Sequence, residues 1–313
     1  MDKDPYEVLD LKALRCFFFV AKHASVTRAA IELGIAGPAV TQRVQQLEKV
    51  LGVKLYEARG GRVRLTPAGE HALTFAVSLF DEIEGFQQSL RKSEESGELV
   101  VSAHDAILGY LLADAVEKLK RAHPLARLRL LVRSIEETIR EVRMNEADLG
   151  IVPVRQLPKE LVFRTIGTWR ACLLIAKGHP LSRRALADFS SLLNEETMSR
   201  YPLVVLEAQQ GGGVFGETFA RLNLRPNIGL EVGSLDTLKR FVARGMAVGV
   251  GPELWITDED RLRFDVIPVP PELRADSTYG VVMRRDKHKG PLLKDLLGLL
   301  DNIVARAGST TKT

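Results

Sequence analysis

The chain has 313 residues, of which 45% are hydrophobic and 27% charged, and its formal net charge is +4. These values are typical of a soluble globular protein with room for two or three domains. No run is long and apolar enough to span a bilayer, and the acidic residues 1–10 lack the layout of a secretory signal, so we expect a flexible extension there and a cytoplasmic location. Two cysteines and six scattered histidines predict no disulfide scaffold, no structural metal and no cofactor, although Cys172 beside Arg170 leaves a redox-sensing role open.

Residues 11 to 51 predict three short helices. The first, residues 11 to 21, has the apolar spacing of a buried helix. The second follows Ser25, a good N-cap, and ends at Gly34, and the third begins at Pro38 and runs to Gly52. An inward apolar stripe on the third helix leaves polar side chains facing outward, which are Thr41, Gln42, Arg43, Gln45 and Gln46. This is a helix-turn-helix pattern, which indicates binding to duplex DNA.

A basic hairpin is predicted next, from short alternating runs at residues 54–56 and 63–65 around a glycine pair. It carries Arg59, Arg62 and Arg64, so it could lie along a phosphate backbone or enter the minor groove. Residues 11–66 hold ten Lys and Arg against three Glu, a charge of +7 that leaves −3 for the rest of the chain. This asymmetry favours a nucleic-acid-binding module. The alternative is a helical hairpin that only packs inside an enzyme or an interaction module.

A long helix is predicted from Thr66 and Pro67 to about residue 93, followed by a polar hinge. One face repeats at alternating intervals of three and four, through Leu73, Ala76, Phe80, Ile83, Gln87 and Leu90. Because no sequence-adjacent helix is available to cover this seam, we predict a dimer formed through it. The alternative is that the seam packs on the chain's own C-terminal domain.

From residue 97 onward, short apolar strands alternate with helices. Strands at 99–103, 128–132 and 148–152, with helices at 107–122 and 135–145, predict a largely parallel sheet. A second set has strands near 172–176, 203–206, 227–232 and 247–250 and helices near 213–222 and 234–244, before a strand at 279–284 and a helix at 292–307. Two α/β lobes imply a cleft between them that binds a ligand.

Four loops are expected to line that cleft because each follows a strand end. Their candidate effector-binding residues are Ser102, His104, Asp105, Pro153, Val154, Glu207, Gln209, Gln210, Gly211, Ser234 and Asp236. Helix N-termini at three of these loops would favour an anionic or carboxylate-bearing effector. Each residue also has a structural alternative, since Ser234 and Asp236 could only cap a helix and His104 could only bond to a carbonyl.

Residues 11 to about 73 resemble the winged helix-turn-helix of LysR-type transcriptional regulators. The resemblance lies in the runs SVTRAA from Ser25, PAVT from Pro38, LEKVLGVKLY from Leu47 and LTPAGE from Leu65, and the layout of the rest of the chain agrees with it. It implies an α/β protein with an N-terminal winged helix-turn-helix (11–66), a linker helix and hinge (67–96), and a two-lobed effector-binding domain (97–313) similar to type 2 periplasmic binding proteins. Lobe I would cover 97–168 and 271–313, and lobe II 169–270.

The same resemblance implies where DNA is contacted and which partners bind. Together with the wing arginines, the DNA-binding residues would be Ser25, Thr27, Arg28, Gly37, Pro38, Thr41, Gln42, Arg43 and Gln45. The chain departs from many members in having Ala36-Gly37 in place of Ser-Gln and Gln42 in place of arginine. The implied partners are promoter DNA, a small effector, RNA polymerase and further copies of the chain, with antiparallel linker helices and a dimer of dimers.

Residues 169–182 and 201–204 resemble, in part, the subgroup that regulates cysteine biosynthesis, but Asp105 would repel sulfate, so that ligand is not inferred. The predicted function is therefore a promoter-binding transcriptional regulator, not an enzyme, whose DNA binding or bending responds to an effector. The alternatives are a two-lobed solute-binding protein and an enzyme with an appended DNA-binding-like domain. No nucleophile elbow or phosphate-loop motif favours the enzyme.

Overall fold

The computed structural model describes residues 9–59, 62–90, 97–154, 156–187, 194–206, 227–270 and 276–307, with the single residues 220, 223, 225 and 273. The chain forms two units. The first comprises residues 1–93 with 285–288, and the second comprises residues 94–284 with 289–313.

Three helices form the core of the first unit. They are α1 (Leu11–His23), α2 (Val26–Leu33) and α3 (Gly37–Leu51). Each contributes buried apolar side chains, among them Phe17, Ala29 and Val44. As the sequence predicts, Ser25 caps α2 and Gly34 ends it at a φ of 66°, in the left-handed region that glycine adopts at little cost.

A two-stranded hairpin and a long helix complete this unit. The strands β1 (Tyr56–Arg59) and β2 (Arg62–Leu65) pair antiparallel, and α4 runs over Pro67–Leu90. The first strand begins two residues later than predicted, because Leu55 is 1% exposed and belongs to the core. The Thr66 hydroxyl accepts a hydrogen bond from Gly69 N (3.0 Å) and so caps α4.

The second unit begins with a lobe built on a five-stranded sheet in the order β4-β3-β5-β12-β6. Its strands are β3 (Glu98–Ala103), β4 (Arg127–Val132), β5 (Leu149–Pro153), β6 (Leu161–Trp169) and β12 (Ser277–Arg284). Its helices are α5 (Asp105–Tyr110), α6 (Ala113–Ala122), α7 (Ile135–Arg143) and α12 (Pro291–Ala307). Strand β3 is parallel to β4 and β5, whereas β12 is antiparallel to both of its neighbours.

The other lobe has a five-stranded sheet in the order β11-β7-β10-β8-β9. Its strands are β7 (Ala171–Ala176), β8 (Leu203–Leu206), β9 (Ile228–Val232), β10 (Val248–Pro252) and β11 (Phe264–Pro268). Its helices are α8 (Pro180–Ala187), α9 (Glu195–Arg200), α10 (Leu235–Ala243) and α11 (Asp258–Arg263), with a short 3-10 helix at Glu253–Trp255. The chain passes from the first sheet to the second between Trp169 and Ala171.

The sheets are mixed rather than largely parallel, so that prediction was wrong in part. In the first sheet β12 is antiparallel to β5 and β6, and in the second sheet β7 is antiparallel to β10 and β11; strands β6 and β11 were not predicted. The helix predicted over residues 107–122 is two helices, α5 and α6, because the chain turns between them to bury both Leu111 and Leu112. The helix predicted near 213–222 lies outside the described residues, apart from residue 220.

Candidate functional site

Helix α3 presents a polar face to solvent. Gln42, Gln45 and Gln46 are exposed on it, as is Pro38 at its start. Thr41 is half-buried, and its hydroxyl donates to Gly37 O at 3.2 Å. These amide side chains have the length and the donor and acceptor groups that base edges in a major groove require.

Besides Thr41, two further predicted DNA-binding residues have side-chain contacts inside the unit. Arg43 is half-buried, and its guanidinium Nη1 lies 3.9 Å from the Sγ of Cys16 in α1. The Ser25 hydroxyl accepts from Arg28 N at 3.3 Å, so it caps α2. Thr27 and Arg28 are exposed. At the start of α2, Thr27 and Arg28 are therefore accessible to solvent, while Ser25 caps the helix.

The hairpin lies next to the end of α1, because Val63 N donates to Ala24 O at 3.1 Å. Arg64 is exposed on β2. Backbone pairing places Arg59 opposite Arg62 at the hairpin end. The structure describes the backbone of these two residues but not their side chains.

Glu48 connects the end of α3 to the start of the hairpin through hydrogen bonds. We did not assign it this role from the sequence. Its carboxylate is buried at 6% exposure and accepts from Leu55 N at 2.8 Å and from Lys54 Nζ at 2.7 Å. The bond to Glu48 raises the pKa of Lys54. Because both partners lie just before β1, Glu48 fixes where the hairpin begins relative to α3. A glutamate within an otherwise apolar stripe was the signal that could have revealed it.

An ionic cluster joins α1 to α2 behind this surface. Glu32 bonds to His23 and lies 3.4 Å from Lys22 Nζ. Burial raises the pKa of Glu32, but the hydrogen bond from His23 and the charge of Lys22 lower it by more, so the pKa lies below its usual value. The carboxylate is thereby kept ionised within residues 11–66, where ten basic residues stand against three acidic ones.

The predicted seam on α4 is partly covered by the chain itself. Leu73 and Ala76 are 5% and 0% exposed, and the Phe80 ring lies 5.6 Å from that of Phe18 in α1. The premise that no helix is available to cover the seam was therefore wrong, since α1 covers its first half. Ile83 is half-buried, Gln87 is exposed, and the side chain of Leu90 lies outside the described residues. Phe75 and Phe86, at 51% and 62%, are the large apolar side chains that α4 exposes among its described residues.

In the second unit, the parallel strands β3, β4 and β5 end at one edge of their sheet. His104 and Asp105 follow β3. Pro153 is the last residue of β5, and Val154 follows it. Arg133, which was not predicted, follows β4, and its backbone N donates to Ala103 O at 3.0 Å. Its guanidinium Nε donates to Glu141 Oε1 at 2.6 Å, and this bond raises the pKa of Arg133. Asp105 and Val154 are exposed at this edge.

Ser102 was predicted to line the cleft, but its side chain is fully buried. Its hydroxyl donates to Glu141 Oε2 at 2.9 Å and lies 3.1 Å from Thr138 Oγ1, both on α7. In this structure it therefore serves to join β3 to α7.

Several other candidate effector residues have structural roles, but only Ser234 has the role raised as its alternative, whereas His104 caps α5 instead of bonding to a carbonyl and Asp236 forms an ion pair. His104 Nδ1 accepts from Ala106 N at 3.4 Å, and burial lowers the pKa of the ring, so the neutral form is favoured. Ser234 caps α10 by accepting from Thr237 N, and Asp236 pairs with Arg240 at 2.7 Å. Glu207, Gln209, Gln210 and Gly211 lie outside the described residues.

Cys172 is not placed for thiol chemistry. It is 1% exposed, its Sγ donates to Gly251 O at 3.3 Å, and burial raises its pKa to about 12. A thiol that stays protonated and covered is a poor redox sensor. No described helix combines the length and apolarity that crossing a membrane requires, and the described His, Cys, Asp and Glu side chains form no group of three that could hold a metal ion.

Together these features define a class: a winged helix-turn-helix protein with a long helix and a two-lobed α/β domain. Two family models match, "Bacterial regulatory helix-turn-helix protein, lysR family" over residues 11–70 and "LysR substrate binding domain" over residues 92–303. The chain belongs to the LysR family of DNA-binding transcriptional regulators, and its C-terminal domain is the effector-binding domain of that family.

Curated relatives and solved structures agree with this assignment. The chain is 28% identical to the regulator CysB of Burkholderia cenocepacia (80% of each chain) and 27% identical to CbbR of Xanthobacter flavus (93% of this chain, 87% of the relative). A full-length OxyR variant from Pseudomonas aeruginosa matches with a TM-score of 0.66 at 23% identity over 94% of each chain. Full-length BenM matches with a TM-score of 0.56 at 20% identity over 96% of this chain and 98% of that one. The relatives are transcriptional regulators rather than solute-binding proteins or enzymes.

Proposed function

We propose that the exposed face of α3 reads base edges in the major groove and that the wing contacts the phosphate backbone. The observation that carries this proposal is the row of exposed amides, Gln42, Gln45 and Gln46, on the helix of a module with a charge of +7 from ten basic and three acidic residues. Amides discriminate between bases, whereas arginines on phosphates position the protein without reading sequence. Thr27, Arg28, Gly37, Pro38, Thr41, Arg43, Arg59 and Arg62 complete the proposed contact surface, with Ser25 as its cap.

The test compares two substitutions on DNA fragments selected from a random library by the unaltered protein. Replacing Gln42 with alanine should weaken binding to selected fragments about tenfold while leaving binding to unrelated duplexes unchanged, because a base contact is worth about 1–3 kcal/mol. Arg64→Ala is the matched control on the wing. It should weaken both kinds of complex alike and reduce the slope of log affinity against log salt by about one.

Fluorescence anisotropy at several salt concentrations measures both effects. Equal loss on selected and unrelated DNA for Gln42→Ala would show that α3 does not read the sequence at that position. A cytoplasmic location, where promoter DNA would be reached, and RNA polymerase as a further partner are parts of this proposal.

We also propose that a second copy of the chain covers the exposed face of α4, here named the Phe75–Phe86 face. Phe75 and Phe86 are exposed, and Leu79, one helical turn after Phe75, is half-buried between them, at heptad-like intervals. Two pairs of chains would then form the dimer of dimers.

The effector is proposed to be a small anionic or carboxylate-bearing molecule at the strand-end edge of the second unit. His104, Asp105, Pro153 and Val154 lie at this edge, and Arg133 supplies a cation whose side chain is 36% exposed. Ser234 and Asp236, and the loop with Glu207, Gln209, Gln210 and Gly211, would face the ligand from the other lobe. Ser102 would support the site from beneath. Binding would alter the lobe arrangement and thereby the DNA geometry.

A further inference from the structure

Lys239 on α10 is a buried cation whose three donors all have partners. Its residue is 8% exposed, and Nζ donates to Asp260 Oδ2 at 2.5 Å, to Trp255 O at 2.7 Å and to Tyr110 OH at 2.9 Å. An ammonium group has three N–H donors, so this arrangement satisfies it without water. Such a group tolerates burial only while its partners stay in place.

The three partners do not belong to one lobe. Asp260 and Trp255 lie in the lobe that contains α10, whereas Tyr110 is the last residue of α5 in the other lobe. The ammonium also lies 4.6 Å from the centroid of the Tyr110 ring. Losing Tyr110 would leave one N–H of a buried charge without a protein partner, which is a cost that opposes separation of the lobes.

Helix α5 has a second attachment to the same lobe. Ala106 in its first turn is 2% exposed and packs in the apolar cluster that contains Leu235, Leu238 and Trp255. Leu254 packs against the cores of both lobes. The helix therefore begins at the proposed effector edge, beside His104, and ends on Lys239.

We infer that Lys239 is a positioning residue that holds α5 against the other lobe and so sets the equilibrium between lobe arrangements. This inference rests on the proposed function in one respect, namely that an effector acts by changing that equilibrium. The direct contact is made by the hydroxyl of Tyr110. Because Tyr110 as a residue is 39% exposed, its hydroxyl can be removed with little effect on packing.

The test is hydrogen exchange of the full-length protein without added ligand. Tyr110→Phe should speed exchange of the α5 amides about tenfold. The reason is that the hydrogen bond from Lys239 to the Tyr110 hydroxyl stabilises only the arrangement in which α5 packs against the other lobe. Tyr201→Phe is the matched control, since it removes a phenol hydroxyl in lobe II, where the ring packs 5.3 Å from His179. It should leave the α5 amides unchanged, and the amides of β7 should be unchanged in both variants.

A distance measurement separates lobe movement from loss of stability. Spin labels at Lys118→Cys and Glu231→Cys, both exposed positions, report the separation of the lobes within one chain when labelled protein is diluted with unlabelled protein. Native Cys16 and Cys172 are buried and should stay unlabelled. Tyr110→Phe and Lys239→Met should both increase the fraction of long distances.

Unchanged α5 exchange and an unchanged distance distribution in Tyr110→Phe would overturn the inference. Faster exchange throughout lobe II in Tyr110→Phe would also overturn the inference, because it would mean that Tyr110 stabilises the fold of that lobe in general. Neither measurement involves DNA or effector, so a failure here is distinguishable from a failure of the proposed function.

Discussion

Asp260 shows how one buried carboxylate depends on its neighbours. It is 7% exposed and accepts bonds from Lys239 Nζ, from Thr257 N at 3.0 Å and from Thr257 Oγ1 at 3.0 Å. Burial raises its pKa, but the bonds from Lys239 and Thr257 lower it by more, so the folded-state pKa lies below the ordinary value of 3.8. The carboxylate therefore stabilises the fold while it is ionised.

This shift predicts how the stability of Asp260→Asn will depend on pH. Asp260 contributes fully above its unfolded-state pKa of 3.8, and the contribution is lost as the pH falls through the lower folded-state pKa. At pH 7 the variant should be less stable than the unaltered protein by about 3 kcal/mol, because Lys239 keeps its buried charge. The difference should be the same at pH 5 and smaller near pH 3.

Urea unfolding followed by tryptophan fluorescence measures this difference. Both tryptophans, Trp169 and Trp255, lie in the second unit, so the signal reports the unit that holds Asp260. Thr257→Val serves as a control that removes a neutral partner and leaves the ion pair. A difference between Asp260→Asn and the unaltered protein that is independent of pH would contradict the assigned ionisation.

At the scale of residues, the sequence predicted local roles better than distant ones. Ser25, Gly34 and Ser234 act within a few residues of their own position, so their caps follow from residue type. Glu48 is also local, since its partners are six and seven residues further on, and its place in an apolar stripe was a signal that we did not use, whereas Lys239 could not be predicted in this way. The partners of Lys239 are at positions 110, 255 and 260, and only the tertiary fold brings them together.

At the scale of elements, strong local signals predicted the first unit closely. Helix caps and a proline at a helix start specified α2 and α3 to within one residue, and the second hairpin strand likewise, whereas β1 begins two residues and ends three residues later than predicted. The later elements depended on packing instead. Strand β6 is stabilised by pairing with β12, more than a hundred residues further along the chain, so its own residues carried little indication of it.

Helix α4 shows the same limit, because the sequence predicted one apolar seam and the structure exposes a different apolar face. The predicted seam is partly used by α1, as buried Leu73 and Ala76 show, and the Phe75–Phe86 face is left exposed. Phe75→Glu should therefore raise the dissociation constant of the dimer at least about tenfold, because each subunit would lose the burial of a large aromatic side chain. Sedimentation velocity over a concentration series measures this constant.

The matched control for this prediction is Leu262→Glu. Leu262 is 79% exposed on α11, so the change also adds a charge in place of an exposed apolar side chain, but away from α4. It should leave the association unchanged. If Phe75→Glu assembles like the unaltered protein, a surface other than the Phe75–Phe86 face must join the chains.

At the scale of the whole molecule, the two units suit two different ligands. The first unit combines its excess of basic residues with exposed amides on α3. The second presents strand ends and Arg133 at a sheet edge, as ligand-binding α/β folds do. A regulator built this way requires a coupling free energy between DNA and effector, and such coupling is reciprocal.

Reciprocity provides a test that does not require the effector to be known in advance. In a panel of small mono- and dicarboxylates, one that binds the strand-end edge should raise the melting temperature reported by Trp169 and Trp255, since a ligand at a hundred times its Kd stabilises by about 2.7 kcal/mol. If that compound changes the affinity for a selected DNA fragment by some factor, the fragment must change the affinity for the compound by the same factor.

A chemically similar compound without a thermal shift is the control and should leave DNA affinity unchanged. A panel without any stabilising member would contradict the proposed effector class, whereas a stabilising compound that leaves DNA affinity unchanged would contradict the coupling between the two sites.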